Sequence, residues 1–237
     1  MRGSVRWLVP AALLLSSRIA VAQVSPDSVR AHFVARMQAL GIPGAQLVVM
    51  REGREVVSVA WGQADADGKV KVSDTTRFRV GSISKLFTAT AALKLASVGR
   101  LTLDAPVSEL VPEFMPVRGT VTPRLLAGHL GGVRHYVGAD FSRPPRRYAT
   151  VIEALDIFVR DTLFFEPGTR YFYTSYGYNL LGAAVERAAK EDFRKHVERT
   201  ITRPLGMTRT MYERADSAIG GVAGTFDPDS GGRWKPT

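Results

Sequence analysis

From about Ser82 to Val98 the chain is apolar on nearly every side of a helix, with Leu86, Phe87, Ala89, Ala91, Ala92 and Leu93 following Lys85 and Gly99 ending the run. A helix that is apolar all round has no face to turn to water, so neighbouring elements are expected to bury it. The same stretch holds Gly81-Ser82-Ile83-Ser84-Lys85. A serine and a lysine three apart share one helix face, one turn from each other.

That pairing has chemical content. A serine at a helix start lies beside backbone N–H groups that have no intrahelical acceptor and at the positive end of the dipole, where a developing oxyanion is stabilised. Burial disfavours an ammonium, so a lysine in that setting can take the serine proton and make the hydroxyl nucleophilic. The spacing alone carries little, because Ser-x-x-Lys is expected on the order of once by chance in a chain of this length. Its position at a Gly-Ser helix start gives it value. The plainer reading has Ser82 as a cap and Lys85 reaching to solvent. A second cluster runs Tyr171-Phe172-Tyr173-Thr174-Ser175-Tyr176-Gly177-Tyr178-Asn179-Leu180. A phenol beside a lysine can have its pKa lowered and shuttle protons to a leaving group. By residue type alone, such an aromatic stripe also reads as core.

Taken in order, Gly81-Ser82-Ile83-Ser84-Lys85, Tyr173-Thr174-Ser175 and Gly177-Tyr178-Asn179-Leu180-Leu181-Gly182 resemble the class C beta-lactamase family, which includes D-alanyl-D-alanine carboxypeptidases and related esterases. Gly99-Arg100-Leu101-Thr102-Leu103-Asp104, Pro167-Gly168-Thr169 and Pro204-Leu205-Gly206-Met207 extend the likeness, which spans about residues 27 to 215. His129-Leu130-Gly131-Gly132-Val133-Arg134-His135-Tyr136 is similar to the mitochondrial beta-lactamase-like branch. The resemblance implies an α+β, beta-lactamase/transpeptidase-like fold, an antiparallel sheet flanked by a helical region. It implies Ser82 as the acylated nucleophile, Lys85 as its base partner, Tyr173 as proton shuttle and Ser175 as a substrate-binding residue. Whether Lys85 or Tyr173 is the acylation base stays open. The implied substrate is a small molecule or peptide with an amide or ester bond, such as a β-lactam or a D-Ala-D-Ala peptide, with no cofactor and no metal.

Three departures bear on that reading. Ser175 stands where the family has the Asn of Tyr-x-Asn, and Gly131 where it often has Ser. The family's Lys-Thr-Gly or His-x-Gly strand does not follow, so the C-terminal strands are expected to be missing and turnover weak. Loss of one oxyanion donor typically lowers turnover by about 10²–10³-fold. The alternative function is therefore a catalytically impaired remnant or a non-enzymatic binding protein of the same fold.

Composition removes other chemistries. With no cysteine there is no thiol catalysis, disulfide or Cys-based zinc site. The four histidines lack ligand spacing such as His-Glu-x-x-His, and no Gly-x-Ser-x-Gly elbow accompanies His129 and His135. The net charge of +10 is scattered; its one cluster, Arg143-Pro144-Pro145-Arg146-Arg147, reads as a solvated loop, and no nucleic acid partner is expected. Residues 1–22 read as an export signal: Arg2 and Arg6, an apolar run from Trp7 to Leu15, then Ala20-Val21-Ala22. Nine apolar residues are too few to span a bilayer; the competing reading of this stretch is an uncleaved anchor. The expected product is residues 23–237, a single periplasmic or secreted domain without a membrane span; its oligomeric state is not legible.

Local signals give the remaining elements. Pro26 to Leu40 has helical spacing with Ser25 as cap and Gly41 as stop. Ala45 to Met50 and Val56 to Trp61 form a hairpin around Arg51-Glu52-Gly53-Arg54, which needs a third strand or a helical layer. Asp65-Ala66-Asp67-Gly68 reads as a turn rather than a calcium loop. Further helices are expected from Thr122-Pro123 to Gly131-Gly132, from Ala149 to Arg160, from Tyr176 to Ala189 and from Asp192 to Ile201, with no element after Gly220.

Overall fold

The computed structural model describes residues 25–116, 119–141, 146–213 and 219–236. The export signal and residues 143–145 of the basic cluster lie outside them. The chain divides into two compact units, one holding the residues up to Thr76 together with those from Ala223, the other Arg77–Val222.

The first unit is a helix on a hairpin. Helix α1 spans Pro26–Ala39, its N-terminus capped by the Ser25 hydroxyl, which accepts from the Ser28 N–H at 3.1 Å. Strands β1, Gly44–Arg51, and β2, Arg54–Gly62, pair antiparallel from Gly44 opposite Gly62 to Arg51 opposite Arg54, with a bulge at Val49/Met50. Glu52 and Gly53 both take positive φ, 52° and 74°, the conformation that a two-residue turn needs to match strand twist. The hairpin has no third strand among the described residues; α1 lies against it, and Val29, Phe33, Met37 and Leu47 line one open cavity. Asp65–Gly68 is a turn, as expected: the Asp65 carboxylate accepts from the Val70 N–H at 2.9 Å.

One expectation fails here. After Gly220 the chain forms a short antiparallel hairpin, β3 Phe226–Pro228 with β4 Trp234–Pro236. A side chain builds its turn: the Asp229 carboxylate accepts from the N–H groups of Gly231 and Arg233, both at 2.9 Å. A loop-like composition hid a turn of side-chain-to-backbone type.

The second unit is helical and contains the large core. A 3₁₀ turn, Gly81–Ile83, runs into helix α2, Ser84–Ser97. Helix α3 is Pro123–Ala127, capped by Thr122, and α4 is Gly138–Phe141. Helix α5, Ser175–Ala189, is the axis of the unit: Leu180, Leu181, Ala183, Ala184 and Val185 are wholly buried. Helix α6, Phe193–Val197, continues as a π-turn over Glu198–Thr202. Two side chains fix the far end of α5. Arg100 donates to the carbonyls of Ala188 and Ala189, each at 2.7 Å, and the buried Glu186 carboxylate accepts from the Phe193 N–H at 2.9 Å. A cation on the last carbonyls of a helix satisfies orphan acceptors and complements the dipole.

Three sequence expectations change in this unit. Helix α2 is not buried all round: Ala91, Ala92 and Leu95 face the core, whereas Leu86, Leu93 and Val98 are 66%, 57% and 67% exposed. Composition made the helix apolar, but α5 and α6 cover only one side of it. The helix after Thr122 stops at Ala127, where Gly128 turns the chain and His129 takes φ 60°. Residues 149–160 hold only a 3₁₀ segment, Glu153–Ile157, instead of an α-helix. Leu155 within it and Phe158 just after it are 1% and 2% exposed, and both join the core.

Candidate active site

The 3₁₀ turn at Gly81–Ile83 carries Ser82 exposed at the start of α2, and Gly81 takes φ 50°, a left-handed geometry that favours glycine. One turn on, half-buried Lys85 points into the site. Its Nζ lies 3.1 Å from Ser82 Oγ and 3.2 Å from Ser175 Oγ. The Tyr173 hydroxyl donates to Ser82 Oγ at 2.5 Å. The structure thus brings together all four residues read from the sequence, from stretches about ninety positions apart. Ser175, expected to meet substrate, faces Lys85 and the Tyr136 hydroxyl, the latter at 3.2 Å.

Electrostatics follow the same geometry. Lys85 Nζ stands 4.7 Å from the Tyr173 ring centroid and 5.7 Å from that of Tyr178. The Lys85 hydrogen bond, followed by that to Ser82, holds the Tyr173 hydroxyl below the usual phenol range. Any group that favours the phenolate lowers a phenol's pKa, and an adjacent ammonium does so directly.

The segment from His129 to Tyr136 holds Tyr173 and Ser175 in place. The Phe172 N–H donates to the His129 carbonyl at 2.9 Å. His129 Nδ1 accepts from the Thr174 N–H, and His135 Nδ1 from the Ser175 N–H, both at 3.2 Å. The Thr174 hydroxyl donates to the Arg134 carbonyl at 2.5 Å and accepts from the Gly177 N–H at 3.2 Å, so one side chain caps α5 and ties it to the segment. Neither imidazole works as a triad base: each has its Nδ1 committed to an amide. Burial, followed by the charge on Lys85, lowers the pKa of both rings. An imidazole that accepts at Nδ1 must be neutral, because protonation would set donor against donor.

Arg134 anchors this segment. Its guanidinium donates to both Asp140 oxygens at 2.7 and 3.2 Å, to Asp161, and to the His135 and Ile157 carbonyls at 3.0 and 3.2 Å. It holds the Asp140 carboxyl far below the ordinary range. Gly131 also has a packing reason: a Cβ there would lie 3.0 Å from Leu126 Cδ2 and 3.3 Å from Val121 Cγ1. Sequence reading marked this stretch by resemblance but gave Arg134 and Tyr136 no role. The available signal was the order Arg-His-Tyr beside a glycine pair, which cannot show what each side chain touches.

The sequence profile of the Beta-lactamase family matches residues 29–237. Protein flp of Staphylococcus aureus (strain NCTC 8325 / PS 47) is 32% identical over 181 residues, covering 74% of this chain and 36% of that protein. The human mitochondrial serine beta-lactamase-like protein LACTB is 29% identical, covering 76% of this chain and 45% of its own length. Among solved structures, a penicillin binding protein from Bacillus halodurans superposes with TM-score 0.76 at 28% identity over 86% of this chain and 63% of that one. EstCE1, a hydrolase with promiscuous acyltransferase activity, superposes with TM-score 0.79 at 24% identity, over 90% of this chain and 59% of that one. The chain spans less than half the length of the curated relatives named here.

Proposed function

The chain belongs to the beta-lactamase family and has the beta-lactamase/transpeptidase-like fold, and on that premise we propose that it is a serine hydrolase that passes an acyl group from an amide or ester through Ser82 to water. The observation that carries this reading is the convergence of one hydroxyl, one amine and one phenol: Ser82 Oγ lies 3.1 Å from Lys85 Nζ and 2.5 Å from the Tyr173 oxygen.

Those distances support the following sequence. Tyr173 first gives up its own proton, which the neighbouring Lys85 favours, and then takes the Ser82 proton while Oγ bonds to the substrate carbonyl carbon. The carbonyl oxygen gains negative charge at the start of α2, where backbone N–H groups and the helix dipole favour it. The bond to the leaving nitrogen or oxygen then breaks, and Tyr173 returns the proton to that group. A water molecule next gives a proton to Tyr173 and attacks the acyl carbon. The ester bond to Ser82 breaks, Oγ recovers its proton, and a carboxylic acid departs. The 2.5 Å contact and the lowered phenol pKa favour Tyr173 over Lys85 as the group that moves the proton.

Substrate classes within the proposal are β-lactams, D-Ala-D-Ala peptides and related esters. Export to the periplasm or the medium, read from residues 1–22, belongs to the same proposal. No helix among the described residues is long and apolar enough to cross a membrane.

The test is covalent labelling of the full-length protein by a fluorophosphonate and by a fluorescent penicillin. The parent is expected to label on Ser82 and Ser82→Ala to remain blank. Equal labelling of parent and Ser82→Ala would remove the nucleophile from the scheme.

A further inference from the structure

Ser175 is held from three directions, and the hydrolytic scheme gives no role to the contact with Tyr136. Its Oγ contacts Lys85 Nζ at 3.2 Å and Tyr136 Oη at 3.2 Å, while its N–H donates to His135 Nδ1 at 3.2 Å. His135 and Tyr136 are consecutive, and their rings lie 3.8 Å apart between centroids. One short stretch therefore holds the backbone and the side chain of the same serine.

We infer that Tyr136 is a positioning residue, whose hydroxyl fixes the rotor of Ser175 so that the Ser175 oxygen presents a lone pair to Lys85 and keeps the ammonium between Ser82 and Tyr173. A serine hydroxyl has one proton and two lone pairs. If that proton turned toward Lys85, donor would oppose donor. Tyr136 Oη gives it another acceptor. A longer side chain at position 175 could reach Lys85 with a carbonyl that carries no proton; serine lacks that option and needs a second group to orient it. Tyr136 is partly exposed but is placed by its contact with His135 and by the edge of Tyr176, 5.6 Å away at 87°.

This inference rests on the hydrolytic reading of Ser82, and its consequence can be read separately. Lys85 is the first cause of the lowered Tyr173 pKa, and the other ionisable groups around the pair are His129, His135 and Tyr178. A Lys85 that drifts leaves Tyr173 closer to an ordinary phenol.

The experiment measures the rate of fluorophosphonate labelling against pH for the full-length parent, Tyr136→Phe, Ser175→Ala and the double variant. Tyr136→Phe is expected to slow labelling roughly tenfold and to move its rise with pH to higher pH, with an unchanged melting temperature. On the Ser175→Ala background the same change is expected to add nothing, because its route to Lys85 is already gone. The inference is overturned if Tyr136→Phe labels like the parent, if its effect is equal on both backgrounds, or if the rate falls without the shift in pH. Labelling of Ser82→Ala at the parent rate would instead remove the hydrolytic reading, so the two failures are distinguishable.

Discussion

At the scale of single residues, the site depends on two neutral imidazoles. His129 and His135 each accept a backbone N–H at Nδ1, and both have pKa values below the usual 6.5 of histidine. The unfolded chain therefore binds more protons than the folded one just below pH 6.5. Stability conferred by the rings is complete above that pH and is lost as pH falls through the folded values. Urea denaturation at pH 7.5 and pH 5 should show the parent weakening on the acid side. His135→Asn, which keeps an acceptor near the Nδ1 position but cannot titrate, should weaken less. Equal losses in both proteins would mean that His135 protonates without disturbing its amide. The charge facing these rings is Lys85, and its like-charge effect has the same sign as burial.

At the scale of elements, Thr174 is the junction between the catalytic stretch and α5. It caps the helix through Gly177 and donates to the Arg134 carbonyl while nearly fully buried. Thr174→Ala removes both bonds and is expected to cost about 1–3 kcal/mol, with Ser82 labelling slowed because Tyr173 and Ser175 flank the cap. Thr174→Ser keeps the hydroxyl and should retain most of both. A loss below about 0.5 kcal/mol for Thr174→Ala, read from urea midpoints, would show that the cap is dispensable. Elements whose signals were local were legible in the sequence. Ser25 and Gly41 bounded α1, and Glu52-Gly53 closed the β1–β2 hairpin. Elements set by distant partners were not. Leu155 and Phe158 at the 153–157 segment meet a core built from distant stretches, and the coverage of α2 depends on what packs against it. The same division holds at the site. Ser82, Lys85 and Tyr173 could be named from motifs, whereas the grip of His135 and Tyr136 on Ser175 exists only once the two stretches meet.

At the scale of the whole molecule, apolar burial is unevenly shared. The contiguous core runs from Ala91 to Ile201 and lies entirely within 77–222, centred on α5. The other unit buries only Val57, Ala64, Val72 and Ala223 among its described hydrophobic residues. Regions with few buried apolar contacts open at lower free energy than core helices. Native-state hydrogen exchange should therefore find the amides of Leu180 to Val185 exchanging only through global unfolding, with those of β1 and β2 exchanging sooner. Uniform protection across both sets would show that the molecule opens as one cooperative piece.

The segment 77–222 also begins and ends at a single point. The Arg77 N–H donates to the Gly221 carbonyl at 2.8 Å, the Arg77 guanidinium to the Gly220 carbonyl at 2.6 Å, and Arg77 pairs in parallel with Val222. Physically this is a purse closed at its neck: some 146 residues leave the surrounding chain and return to it within one hydrogen bond. The two ends of such a piece can be joined through a few residues, and new ones opened elsewhere, without stretching its backbone. Protein engineers would find in it a cassette whose cut sites the molecule has already drawn together.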